Sequence, residues 1–273
     1  MLTQYLLRNR SRKMVKGMMK EMKSNAERNN RFAEGLSGAT CSDAKTVGTW
    51  ATNTWGEGLN KQLNDVCQGC VNDCFVLAVF GAIVAVDPSR LKGNATSGYY
   101  FLPVGTTTEK KITIDKKLAV TSANSPTDFV YARWSGDNTR KFLWPMLWEK
   151  AYAKFLDQTN KYPDPKDPTQ PNISKILDGG DVKKAMKEIG RYKTFVEGDF
   201  SFTSGNPNFP SVAATSGSPP GGFRANHTYS VIKKYDNGGY QLRDQCGSTF
   251  KDLAGSDLTT AKFATWGYGK DPV

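Results

Sequence analysis

The 273-residue sequence predicts an α+β protein in which a helical half precedes a β-rich half. Three stretches carry that reading. An apolar run over 75–86 follows Asp73-Cys74, and an amphipathic stretch lies at 140–156; both have helical character. Toward the C-terminus, TYSVIKKY and YQLRD alternate in polarity around Asp-Asn-Gly-Gly, the composition of a β-hairpin over 227–244. There is no internal repeat, and a chain of this length holds one large domain or two modest lobes.

Residues 2–31 come first and read as a basic amphipathic helix. Met14, Met18 and Met22 recur every four residues, with Val15 and Met19 beside them. GLSGATCSD at 35–43 reads as a linker, and Trp50 and Trp55 as anchors of the mixed stretch 45–66. Asp73 is a helix N-cap candidate, and Pro88 follows the helix that Cys74 opens. KKITIDKKLAV at 110–120 alternates like a strand, and DFVYARW at 128–134 reads as a second. Pro145 falls in the first turn of the 140–156 helix, where its missing N–H costs nothing. A Pro-rich loop at 159–172 leads to two short helices broken by Gly179-Gly180. The stretch 200–222, rich in Ser, Gly and Pro, is expected to be a long loop.

The net charge of +11 is unevenly spread. Residues 1–34 carry nine Lys/Arg against three Glu, and the remainder carries 28 basic and 23 acidic side chains. The excess is therefore a basic N-terminal arm, suited to solvent, a membrane surface or a docking partner. The body has no basic patch that calls for nucleic acid. Five cysteines, an odd count, are too few for a disulfide scaffold and point to a reducing, cytoplasmic setting. No signal peptide is visible, and the run 75–86 is about half of a bilayer span. Asn226-His227-Thr228 is a glycosylation sequon, and a glycan there would crowd the one histidine of the chain.

CQGCVNDC at 67–74 admits three chemistries. A zinc site would use Cys67, Cys70 and Cys74 with Cys41, Cys246 or His227, but the spacing is unlike common metal patterns. Cys67 and Cys70 could pair on oxidation. The third reading uses more of the chain. Cys74 at a helix N-terminus faces the positive end of the helix dipole, which favours a thiolate nucleophile. Its base must be His227, the only histidine. His227 begins one strand of the hairpin and Asp244 ends the other, so the two lie side by side. Asp244 then accepts the second ring N–H and fixes the tautomer. Gln68 offers a side-chain N–H to an oxyanion, together with the backbone N–H of Cys74. Singly, a lone histidine or a cysteine at a helix start is more often structural; the joint arrangement favours catalysis.

These segments resemble the calpain family. QGCVNDCFVLA resembles its active-site signature, in which Gln-Gly and then Asp-Cys-Trp lead into a Leu-Leu-Ala helix. FLWPMLWEKAYAKF is similar to the family's FW..LLEKAYAK, ITIDKKLAV to VVIDDRLP, ANHTYSVIKKY to GHAYSV, and LRDQCG to IRNPWG. DFVYAR resembles the strand after VVIDDRLP. The matches keep their order from 67 to about 250 and leave out the N-terminal arm. The resemblance implies a papain-like, two-lobed cysteine protease core. Its arm would be 1–36, its helical lobe 37–195 with Gln68 and Cys74, and its β lobe 196–273 with His227 and Asp244. By position Cys74 is the nucleophile, His227 the base, Gln68 the oxyanion donor and Asp244 the third member, where typical calpains have Asn. Phe75 replaces a Trp, Gln245-Cys246 replaces Pro-Trp, and Asn226 replaces a Gly.

The expected activity is that of a calpain-like cysteine endopeptidase acting on protein or peptide substrates as a monomer. No cofactor is required for the chemistry. Calcium is the activator the family suggests, although the chain has no EF-hand pattern. A transglutaminase- or deamidase-type acyl transferase would use the same triad. A catalytically silent, calpain-like binding module is the alternative from a different class.

Overall fold

The computed structural model describes residues 47–58, 60–69, 71–133, 142–203, 205–246, 249–260 and 262–273, all within one compact unit, Thr40–Val273. The expected basic helix, the linker at 35–43, Cys41, Cys70 and Trp134 lie outside the described residues. Helices and sheets are mixed, as an α+β reading requires. The helices are α1 (Cys74–Val86), α2 (Trp144–Leu156), the single turn α3 (Ile173–Ile176) and α4 (Val182–Gly190). The strands are β1 (Thr49–Thr52), β2 (Gly93–Asn94), β3 (Gly98–Phe101), β4 (Lys110–Ile112), β5 (Lys117–Val120), β6 (Tyr192–Glu197), β7 (Phe202–Thr203), β8 (Asn206–Pro207), β9 (Ser211–Thr215), β10 (Thr228–Lys234), β11 (Tyr240–Asp244), β12 (Thr249–Leu253) and β13 (Phe263–Pro272).

One antiparallel sheet, in the order β12-β11-β10-β9-β13-β6, dominates the C-terminal half. It begins at Tyr192, so the lobe boundary expected between 195 and 196 falls inside β6. Small sheets, β1-β5 and β2-β3-β4, accompany the helices of the first half. Among the described residues no helix is long and apolar enough to cross a membrane.

Helix α1 is the hub. Every residue from Phe75 to Val84 is buried, as expected of a helix that is apolar all round. It packs against α4 and α2 and against β10 and β9 of the sheet. Gly81 permits the close approach: a Cβ there would stand 2.5 Å from Ser230 Oγ and 2.8 Å from Gln245 Nε2. The Ser230 hydroxyl donates to the Ala78 carbonyl at 2.7 Å, joining sheet and helix by a buried polar contact. Helix α2 is fixed by Lys150, whose buried ammonium donates to the Asp115 carboxylate and, at 2.8 Å, to the Lys117 carbonyl.

Three expectations change. The stretch 110–120 is two strands in different sheets, because the Asp115 carboxylate accepts the Lys117 N–H and turns the chain between them. Over 128–133, the described part of the second expected strand, the chain forms only isolated bridges, at Phe129 and Arg133. The Ala132 N–H goes instead to Glu149 Oε2 on α2, at 2.9 Å. The expected loop 200–222 contains β7, β8 and β9. Strand β9 lies between β10 and β13, with Val212 in the helical core and Ala213 in the second apolar cluster.

Gly81→Val should overpack the α1–sheet contact and lower unfolding stability by about 1–3 kcal/mol. Urea unfolding reads this, and an unchanged midpoint would show that the close approach is not a constraint.

Candidate active site

The β10–β11 hairpin brings His227 beside Asp244. Ser230 pairs with Arg243, and His227 and Asp244 lie at the open end beyond that pair. His227 Nε2 is 2.9 Å from Asp244 Oδ1. The ring also interacts with Cys74, which is half-buried as the first residue of α1. Cysteine, imidazole and carboxylate therefore converge from the helix and the sheet. Burial by itself would lower the basicity of His227. The hydrogen bonds to Asp244 and Cys74, with the charges of both, outweigh it and push its pKa up to about 9.

The backbone around the histidine is fixed by Thr215 of β9. The Thr215 hydroxyl accepts the His227 N–H at 3.0 Å, and the Thr215 N–H donates to the His227 carbonyl at 2.8 Å. Asn226 takes φ 51°, the left-handed region that asparagine tolerates better than most residues. That conformation accounts for asparagine where the resembling family has glycine.

Gln68 is held next to these groups. Its N–H donates to the Gln245 carbonyl at 2.9 Å, tying the segment before α1 to the residue after Asp244. Its side-chain NH₂ donates to the Val71 carbonyl at 2.7 Å. One of the two amide hydrogens is thus spent within the loop. Gln245 extends the tie: its amide donates to Ser230 Oγ at 2.5 Å, and its Oε1 accepts from Arg243. The fully buried Arg243 also donates to the Val66 carbonyl at 2.7 Å. Burial lowers the Arg243 pKa to about 10, against the charges of Cys67, Asp244 and Asp65. The guanidinium stays charged at neutral pH.

Asp73 occupies the N-cap position of α1, but its side chain makes no capping hydrogen bond. It is fully buried and interacts with Glu149 of α2, also fully buried, and with Gln68. Burial raises Asp73 to about 6, against the pull of Glu149, Gln68 and the charge of His227. Burial, then the negative charge of Asp73, raises Glu149 well above its ordinary range. Glu149 therefore holds its proton while Asp73 ionises, directly behind the cysteine.

All four expected site residues are thus close to this junction. Glu149, Arg243, Gln245 and Arg224 also shape it and were not singled out as site residues from the sequence. The residues Gln245-Cys246 that follow Asp244 were the one signal available there. Cys246 is disulfide-bonded, whereas Cys67 and Cys74 are free. Cys67 takes no part in a disulfide in this structure. Among the described residues, which leave out Cys41 and Cys70, no group of three or more His, Cys, Asp or Glu side chains could hold a metal ion. In comparisons with known proteins, no family model matches the chain and no curated protein matches it.

The raised His227 makes stability pH-dependent. Folded His227 binds its proton more tightly than the unfolded side chain, whose ordinary pKa is 6.5. Its contribution is fully present below about pH 6.5 and is lost as pH rises through about 9. Relative to His227→Gln, the wild type should lose up to roughly 3 kcal/mol across that window. Denaturant unfolding at several pH values reads the difference, and parallel stability curves for the two proteins would contradict it.

Proposed function

We propose that the chain is a calpain-like cysteine endopeptidase with a papain-like two-lobed core. The observation that carries this is the double engagement of the single histidine, with Asp244 Oδ1 at 2.9 Å and with Cys74. A structural histidine has no need of a free cysteine at the mouth of a buried helix. The segments resembling calpains support the same reading: the DCF stretch opens α1, the WEKAYAKF stretch is α2, and HTYSV runs into β10.

In this mechanism His227 holds the proton drawn from the Cys74 sulfur, and the sulfur attacks a peptide carbonyl carbon. A C–S bond forms and the carbonyl oxygen becomes an oxyanion, facing the backbone N–H of Cys74, with the Gln68 amide, bonded to the Val71 carbonyl and drawn toward Asp73, turning to it as the second donor. Collapse breaks the C–N bond, and His227 gives its proton to the leaving amine. Water then attacks the thioester while His227 takes its proton. The acid product leaves, and the Cys74 sulfur is released beside the protonated His227. Asp244 keeps the imidazole oriented throughout and stabilises the imidazolium. Substrates are proteins or peptides, and calcium is the activator the resemblance suggests.

The test is casein cleavage by the purified protein and by Cys74→Ala, each with about 5 mM calcium, in the range where weak sites bind, and with chelator. Cleavage should fall about a thousandfold or more in Cys74→Ala. The chelator arm decides whether calcium is the activator. Equal cleavage by Cys74→Ala, or none by folded wild type in either condition, would sink the endopeptidase reading. In the second case, amine incorporation into glutamine would point to acyl transfer instead.

A further inference from the structure

Asp244 uses its two oxygens differently. Oδ1 faces His227 Nε2 and also accepts the Cys246 N–H, both at 2.9 Å. Oδ2 has one partner among the described residues, Arg224, whose Nε stands 3.4 Å away. The Asp244 side chain is 2 % exposed and that of Arg224 is 52 % exposed. The pair thus links a buried anion to a cation at the surface.

Arg224 is held in place from both sides of its own backbone. Its N–H donates to Tyr229 Oη at 2.8 Å, and its carbonyl accepts the Thr215 hydroxyl at 2.6 Å. The same threonine hydroxyl accepts the N–H of His227, so one side chain sets the positions of both. Phe223, one residue earlier, packs edge-on against Tyr229 with centroids 5.2 Å apart. Lys251 on β12 donates to the Gly222 carbonyl. The segment ahead of the histidine is therefore a built support.

We propose that Arg224 is a positioning residue for the site: it clamps the free oxygen of Asp244, fixes the carboxylate plane toward His227, and with its own charge moderates how strongly the imidazolium is held. The inference rests on the reading of Cys74, His227 and Asp244 as a catalytic set. The groups that act on His227 and Asp244 are known from each neighbouring element. Cys74 and Asp73 lie at the start of α1, Tyr229 on β10 and Arg243 on β11, and Arg224 lies on the preceding loop. Arg243 is fully buried and bonded to Val66 and Gln245, so it is shut away from solvent. Arg224 is the cation of this set that solvent reaches.

The sign follows. Arg224 repels the imidazolium and draws off part of the Asp244 charge. Without it, His227 should hold its proton to higher pH. His227 is the only histidine of the chain, so its ring signals can be titrated by NMR without ambiguity and without substrate. At low salt, Arg224→Ala should raise the His227 midpoint by about half a pH unit, the scale of one partly screened charge a few ångströms beyond the ring. Arg224→Lys should return it toward the wild-type value. The difference should shrink at about 0.5 M salt, where the screening length is only a few ångströms. Because Arg224 is half-exposed, the variants should keep the wild-type amide dispersion, and Arg224→Gln repeats the test if the alanine variant does not. An unchanged midpoint at low salt, or a shift that lysine does not reverse, would overturn the assignment. Wild-type protein that titrates as expected but cleaves no peptide would count against the endopeptidase and leave the Arg224 result readable by itself.

Discussion

Helix α1 has no polar face, and that constraint organises the rest. A helix apolar on every side must be buried on every side, so the helices of the first half and the strands of the second both pack on it. The N-terminus of such a helix is where the core meets the surface, and Cys74 sits there, half-buried and free. Gly81 and Ser230 bring the sheet close enough for the start of β10 to reach the same end of the helix. The site is thus a consequence of how the apolar helix is covered, with the helix supplying the sulfur and the hairpin supplying the imidazole and the carboxylate.

A site built this way must bury charge, and the buried groups are neutralised in sets. Asp244 is shared among His227, a backbone N–H and Arg224. Arg243, fully buried, is bonded to one carbonyl and one amide oxygen near that carboxylate. Behind the cysteine, Asp73 and Glu149 lower the cost of burial by retaining a proton between them. Each arrangement would be expensive if one member were lost. Their concentration at the end of α1 is what a working site shows more often than an inert core.

Much of this was legible from residues. The hairpin turn alone put Asp244 next to His227, and the apolar run alone put Cys74 at a helix start. Pro145 marked the first turn of α2. What escaped the sequence depended on distant partners. Strand β9 hides in a stretch dominated by Ser, Gly and Pro, and its small apolar residues gain meaning only between β10 and β13. The stretch 128–134 alternates like a strand, yet Glu149 takes the Ala132 N–H that a strand partner would use. Asp73 looked like a helix cap, but burial beside Glu149 turned its carboxyl away from that role. Arg224 lies three residues before the histidine, and only the Thr215 and Tyr229 contacts aim it at Asp244.

The central claim is that His227 activates Cys74, and the chain carries its own control. Cys67 is a second free cysteine of similar exposure, seven residues away. Site-resolved mass spectrometry of iodoacetamide labelling at neutral pH compares the two thiols in one sample. The account predicts that Cys74 reacts at least about tenfold faster than Cys67, as a base-paired nucleophile should, and that His227→Ala removes most of the advantage. Equal labelling of the two cysteines in the wild type, or an advantage untouched by His227→Ala, would contradict it.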